Sequence, residues 1–179
     1  MSNGFRPVQD ISGGSYTGKV QTFGVAAGHS TLLSTGDLVT ITGTADTNGL
    51  AQVDASAAAG LITGAIVSIA PNFSNLEQRG LPASTAGVVM VAVDTNLLLE
   101  APTSGTIAVT DVGQNADIVA TAASATGGLV NSNMTVNSAS FSAATKQIRI
   151  EGLKDGGTAA GSTVYCRINE STVSGVVGV

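Results

Sequence analysis

An all-β fold, a sandwich or barrel of about ten short strands with an extended N-terminal arm, follows from three features of the sequence. Charged residues make up only 11% of the 179-residue chain, aromatics 3%, and there is no Trp, while Gly numbers 23 and small or β-branched side chains dominate. That composition suits sheets that bury slender side chains, and it is the reverse of the low-hydrophobicity, high-charge signature of disorder. Apolar residues recur with a period of two, and no stretch sustains a period of 3.6. Turn signals recur at roughly 8–12-residue spacing, as in sandwiches and barrels.

Residues 1–18 read as the arm. Asn3-Gly4, Pro7 and Ser12-Gly13-Gly14-Ser15 break regular structure, yet Phe5, Val8, Ile11 and Tyr16 are spaced apolar anchors. An arm with nothing of its own to bury against is expected to lie on another subunit. The β body spans residues 19–170. Its first strand alternates through Lys19-Val20-Gln21-Thr22-Phe23-Gly24-Val25. Gly36-Asp37 turns the chain into a strand at 38–42, and Asp46-Thr47-Asn48-Gly49 reads as a hairpin turn into its partner at 50–53. Residues 55–60 read as a loop, 61–70 as a longer strand and 71–82 as a polar excursion.

Gly87-Val88-Val89-Met90-Val91-Ala92-Val93-Asp94 is the strongest strand pattern, and its near-continuous apolar run suggests burial on both faces. Further strands are expected at 97–100, 116–120, 134–137, 147–152 and 164–169, with a Gly/Ser/Asn loop over 124–133. The tail, 171–179, carries Val176 and Val177 without polar cover. It reads equally as a docking segment or as a last strand of the chain's own sheet.

The charge balance restricts the function classes. Seven Lys+Arg against twelve Asp+Glu give net charge −5, and the cations are scattered, so no basic stripe serves phosphates and nucleic acid is not an expected partner. No apolar run approaches the ~18–20 residues that cross a bilayer as a helix, since 61–70 is too short and is interrupted by Thr63, Gly64 and Ser68, so no membrane role is expected. The start, Met1-Ser2-Asn3-Gly4-Phe5-Arg6-Pro7, lacks an apolar signal core, and Sec export is not expected. A lone Cys166 permits no internal disulfide.

Catalysis has little to draw on. His29 is the one imidazole, with Ser30, Ser34 and Asp37 nearby, but no nucleophile-elbow pattern accompanies it, and it reads as a surface turn histidine. Cys166 sits in an alternating strand and reads as a small buried hydrophobe. Asp111-x-Gly113-x-Asn115-x-Asp117 spaces oxygen ligands as calcium loops do, but Gly holds the third position and the closing Glu is missing, so an ordinary turn is expected. No cofactor is expected. Gly156-Gly157-Thr158-Ala159-Ala160-Gly161 lacks the Lys of a phosphate loop.

The order Gly36-Asp37-Leu38-Val39, Ala59-Gly60-Leu61-Ile62-Thr63-Gly64-Ala65-Ile66-Val67-Ser68-Ile69 and Val89-Met90-Val91-Ala92-Val93-Asp94 resembles the head decoration, or cement, proteins of short-tailed bacteriophages. Asp111-Val112-Gly113-Gln114-Asn115-Ala116-Asp117, Gln147-Ile148-Arg149-Ile150-Glu151-Gly152-Leu153 and Val164-Tyr165-Cys166-Arg167-Ile168-Asn169-Glu170 extend it. Members are expected to carry a histidine soon after the last piece, where this chain has Ser171. The resemblance implies a non-enzymatic virion protein, made in the host cytoplasm and carried on the outer capsid surface. Its implied partners are the major capsid protein and copies of itself, as a dimer or trimer. On that reading Phe5, Val8, Ile11, Tyr16, Val176 and Val177 are expected partner contacts. Other classes stay open at this stage: a tail- or fibre-associated virion protein, and a non-viral surface or carbohydrate-binding β module. Six aromatics offer the last little to stack sugars on.

Overall fold

The computed structural model describes residues 4–126 and 129–173. Among them the fold is all-β. Strand β1 (Arg6–Asp10) is followed by five strands, β2 (Gln21–Val25), β3 (Leu38–Ala45), β4 (Ala51–Ala55), β5 (Gly64–Ile69) and β6 (Gly87–Ala92), that close a barrel in the order β2-β4-β3-β5-β6. Closure leaves these strands without the open edge that invites association. The β3–β4 hairpin turns where expected. Asp46 accepts from the amides of Asn48 and Leu50, both at 2.8 Å, and Gly49 takes the left-handed conformation at φ 79°.

The second half adds β7 (Leu97–Pro102), β8 (Asn115–Ala116), β9 (Ile118–Val119), β10 (Ser124–Thr126), β11 (Leu129–Asn131), β12 (Thr135–Val136), β13 (Ile148–Leu153) and β14 (Thr163–Ile168). An antiparallel sheet runs β1-β7-β14-β13-β8, while β9 pairs with β12 and β10 with β11.

Two cores meet at a shared wall. Val39, Ile66 and Val91 belong to the barrel interior, with Phe23, Leu33 and Val89. Their chain neighbours Leu38, Ala65 and Ala92 belong to the second core, with Leu99, Ile148 and Val164. Successive side chains of a strand point to opposite faces, so β3, β5 and β6 line the barrel with one face and the second core with the other. A buried Leu or Ile in such a wall contributes about 1.5–3 kcal/mol.

Three expectations are corrected. Residues 1–18 do not form an extended arm over their described part: β1 pairs antiparallel with β7, Arg6 opposite Glu100 and Asp10 opposite Leu97, and residues 9–15 fold back as a short hairpin. Pro7 had argued against a strand, but Pro is tolerated on a sheet edge, and the register shift between Pro7 and Gln9 absorbs it. The strand count among the described residues is fourteen rather than about ten, because 116–120 splits into β8 and β9 and because β1, β10 and β11 form in stretches whose composition is that of arm or loop. The strand at 87–94 is buried on both faces only at its C-terminal end. Val89 and Val91 face the barrel and Ala92 the second core, but Met90, on the same outer face as Ala92, lies beyond that core's reach and is 40% exposed.

Candidate interaction surface

The expected partner contacts separate into three groups. Phe5 is fully buried in its own chain's second core, and its amide donates to Gly36 O at 2.8 Å. It is therefore a core residue and not an anchor for another subunit, because a fully buried ring offers a partner no surface. Val8 is half-buried on β1, and Tyr16 is half-buried against the same core, its hydroxyl donating to Lys19 O at 3.3 Å. Burial pushes the Tyr16 phenol above its ordinary range. Ile11 remains 45% exposed. Val176 and Val177 lie outside the described residues.

Phe5, Pro7, Tyr16, Gly36, Ile66 and Val67 line most of a cleft of 280 Å³ where β1 crosses the barrel. That volume is at the lower limit of small-molecule sites, about 300 Å³. The one charged group on its lining, Arg6, is engaged by Glu100 at 2.5 Å. The cleft is a seam between elements and lacks the converging polar groups of a ligand site.

The groups weighed for chemistry are engaged in holding the fold. His29 is 3% exposed, not the surface residue its turn context suggested. Its Nδ1 lies 2.9 Å from Ala26 O, an atom that only accepts, so Nδ1 carries the proton, and its Nε2 has no partner. Asp37 turns elsewhere. It accepts from the Ser34 amide at 2.7 Å and from the Ser132 hydroxyl, and burial pushes its carboxyl up to about 6 against those two hydrogen bonds. Ser34 Oγ donates to Val130 O. No Ser–His–Asp relay is assembled from these residues.

Cys166 is fully buried on β14, and burial drives its thiol far above the ordinary range. The two carboxylates of the 111–117 spacing are also divided. Asp111 accepts from the Ala108 amide at 2.8 Å, whereas Asp117 pairs with Lys146 at 2.5 Å. The described residues hold no cluster of three or more His, Cys, Asp or Glu placed to share a metal.

The cations follow the same rule. Arg6 and Lys154 both pair with Glu100, Arg149 and Arg167 with Glu151, and Lys146 with Asp117, which commits five of the seven. Burial alone would raise the Glu100 carboxyl, but the hydrogen bonds and charges of Lys154 and Arg6 outweigh it and hold it below the usual range. Lys19 and Arg79 remain outside these pairs, too little for a phosphate-binding stripe. The chain matches no protein-family model and no curated protein.

What the surface does offer is apolar. Phe73 is 87% exposed, Leu76 74% and Val109 68%. Both Phe73 and Leu76 stand in the excursion between β5 and β6, whose polar composition hid them. A local signal was available. Asn72-Phe73-Ser74 and Asn75-Leu76-Glu77 repeat an Asn–apolar–polar triplet, and each Asn opens a turn.

Proposed function

We propose that this protein is a bacteriophage capsid decoration protein, which binds the outer face of the shell and stabilises contacts between neighbouring coat subunits. Its partners are the major coat protein and further copies of itself. The observation that carries the reading is the division of labour among the side chains. His29, Asp37 and Cys166 are buried and Asp117 is paired within the body, while large apolar side chains are left at the surface, where contact is the chemistry available. A closed barrel welded to a second sheet gives such contacts a rigid platform, which lowers the ordering cost of binding. Repetition over a shell then turns weak contacts into avidity. The ordered pieces running from Gly36 to Glu170 that resemble cement proteins support the same assignment.

The test is co-sedimentation of the purified protein with undecorated phage heads, alongside its mass in solution and the heat resistance of the heads. Saturation at a fixed ratio to the coat subunit, with heads that release DNA at a higher temperature, is the expected result. A protein that stays in the supernatant at every concentration would remove the decoration reading.

A further inference from the structure

We infer that the loop joining β5 to β6 is the tip with which this protein engages the coat shell, Phe73 and Leu76 entering a shallow apolar depression between or on coat subunits. The inference rests on the decoration reading and adds the contacting residues to it.

The loop is built to display these two side chains. Asn75 N donates to Asn72 O at 3.0 Å and Gln78 N to Asn75 O at 3.2 Å, so two turns follow one another directly. Asn72 Oδ1 accepts from Ser74 N at 3.0 Å, and Asn75 Oδ1 from Glu77 N at 3.2 Å. Phe73 and Leu76 therefore occupy the same position, the one after Asn, in consecutive turns. A clasp closes the base: Asn72 Nδ2 donates to Gln78 Oε1 at 2.9 Å, and Gln78 Nε2 to Gly80 O at 3.0 Å. Just beyond, Leu33 and Leu81 exchange amide hydrogen bonds at 2.9 Å in each direction, fixing the clasp to the barrel. Polar side chains hold the backbone, and the apolar ones point away with 87% and 74% of their surface in water.

Size decides the occupant. An aromatic side chain and a leucine together bury about 300–400 Å², half or less of the ~800 Å² per partner of a standard stable interface. The pair falls short of what a stable dimer of this chain would need, so its size favours a partner that repeats. A convex pair of knobs needs a concave apolar surface, and a contact this small becomes effective only where the partner repeats. A shell of identical coat subunits meets both conditions. Buried aromatic anchors of this kind carry most of the affinity at protein interfaces.

The experiment compares the full-length wild type with Phe73→Ser/Leu76→Ser in head binding, thermal unfolding and solution mass. The variant is expected to keep the wild-type unfolding midpoint and mass, because neither side chain packs in a core, while its apparent affinity for heads falls at least tenfold. A second variant, Phe73→Leu, is expected to keep most of the binding. Equal binding by wild type and the double variant would overturn the loop assignment and leave the decoration reading standing. A changed solution mass would make the loop a self-contact and overturn the assignment as well. If the wild type itself fails to bind, both readings fall together.

Discussion

Gln147 donates its side-chain amide to the carbonyl oxygen of Gly60, 87 residues earlier, at 2.6 Å. The same amide donates to Ala57 O at 2.9 Å, and Gln147 Oε1 accepts from the amides of Ala59 and Ile118, each at 2.9 Å. One fully buried side chain thus satisfies the loop between β4 and β5 and ties it to the start of β9. Gln147→Leu keeps the bulk and strands two N–H and two C=O groups in the interior. Each stranded group costs about 1–3 kcal/mol, so a loss on the order of 4 kcal/mol is expected. For a domain of this size that lowers the unfolding midpoint by roughly 8–16 °C, which scanning calorimetry would read. A shift under about 3 °C would mean that the loop finds other partners.

Asp37 gives the protein a pH dependence of unusual sign. Its carboxyl is 1% exposed, one oxygen has no partner, and burial raises it from 3.8 to about 6. The folded state therefore holds this proton more tightly than the unfolded chain does. The stability this group contributes is fully present below about pH 4 and is lost as pH rises to about 6, a change of roughly 3 kcal/mol. Carboxyls held low, such as Glu100, contribute with the opposite sign, so the comparison must be with Asp37→Asn. Urea unfolding at several pH values is expected to show the variant gaining on the wild type between pH 4 and 6. A difference that stays flat across this range would show that Asp37 is ionised in the fold at no cost.

Glycine matters at the barrel seam for reasons of space. A methyl group at Gly64 would run into the carbonyl of Ala92 and come within 2.8 Å of Val91 Cγ1, because β5 is squeezed between β3 and β6 at this point. Gly64→Ala is expected to cost about 1–3 kcal/mol by overpacking. Gly28→Ala is the matched control. Its added methyl meets nothing within 4 Å and its φ lies outside the left-handed region, so it should be neutral or gain up to about 1 kcal/mol. Similar midpoints for the two variants would show that the seam can relax.

Local chemistry made some of this fold legible in the sequence, and long-range chemistry hid the rest. The 46–49 hairpin could be read because Asp46 and Gly49 fix it within four residues. The alternation of β14, and of the first residues of β13, survives because each faces one core. Strand β1 was masked by Pro7 and flanking glycines, and its partner β7 lies some ninety residues away, where no local pattern points. Phe5 was legible as an apolar anchor but not as an anchor to its own chain. Gln147 is legible only as the first residue of a strand, and its four bonds exist only once the 57–60 loop and the start of β9 converge on it. Phe73 is hidden wherever composition is averaged across the loop, whereas the repeated Asn–apolar–polar triplet carries the information.

Cys166 reports on the packing of the second core. It faces Ile150 and Leu99 across its two neighbouring strands and has no exposed surface. The thiolate is the reactive form, and burial holds this thiol protonated, so both access and chemistry oppose modification. An aromatic disulfide reagent is expected to leave the native protein unlabelled and to titrate one thiol per chain in denaturant. Cys166→Ser should cost more than Cys166→Ala despite its closer shape, because a hydroxyl buried without a partner costs about 1–3 kcal/mol. Labelling of the native protein within minutes would show that the β13–β14 pair opens locally. Equal stability of the Ser and Ala variants would show that the site admits a hydrogen-bond partner.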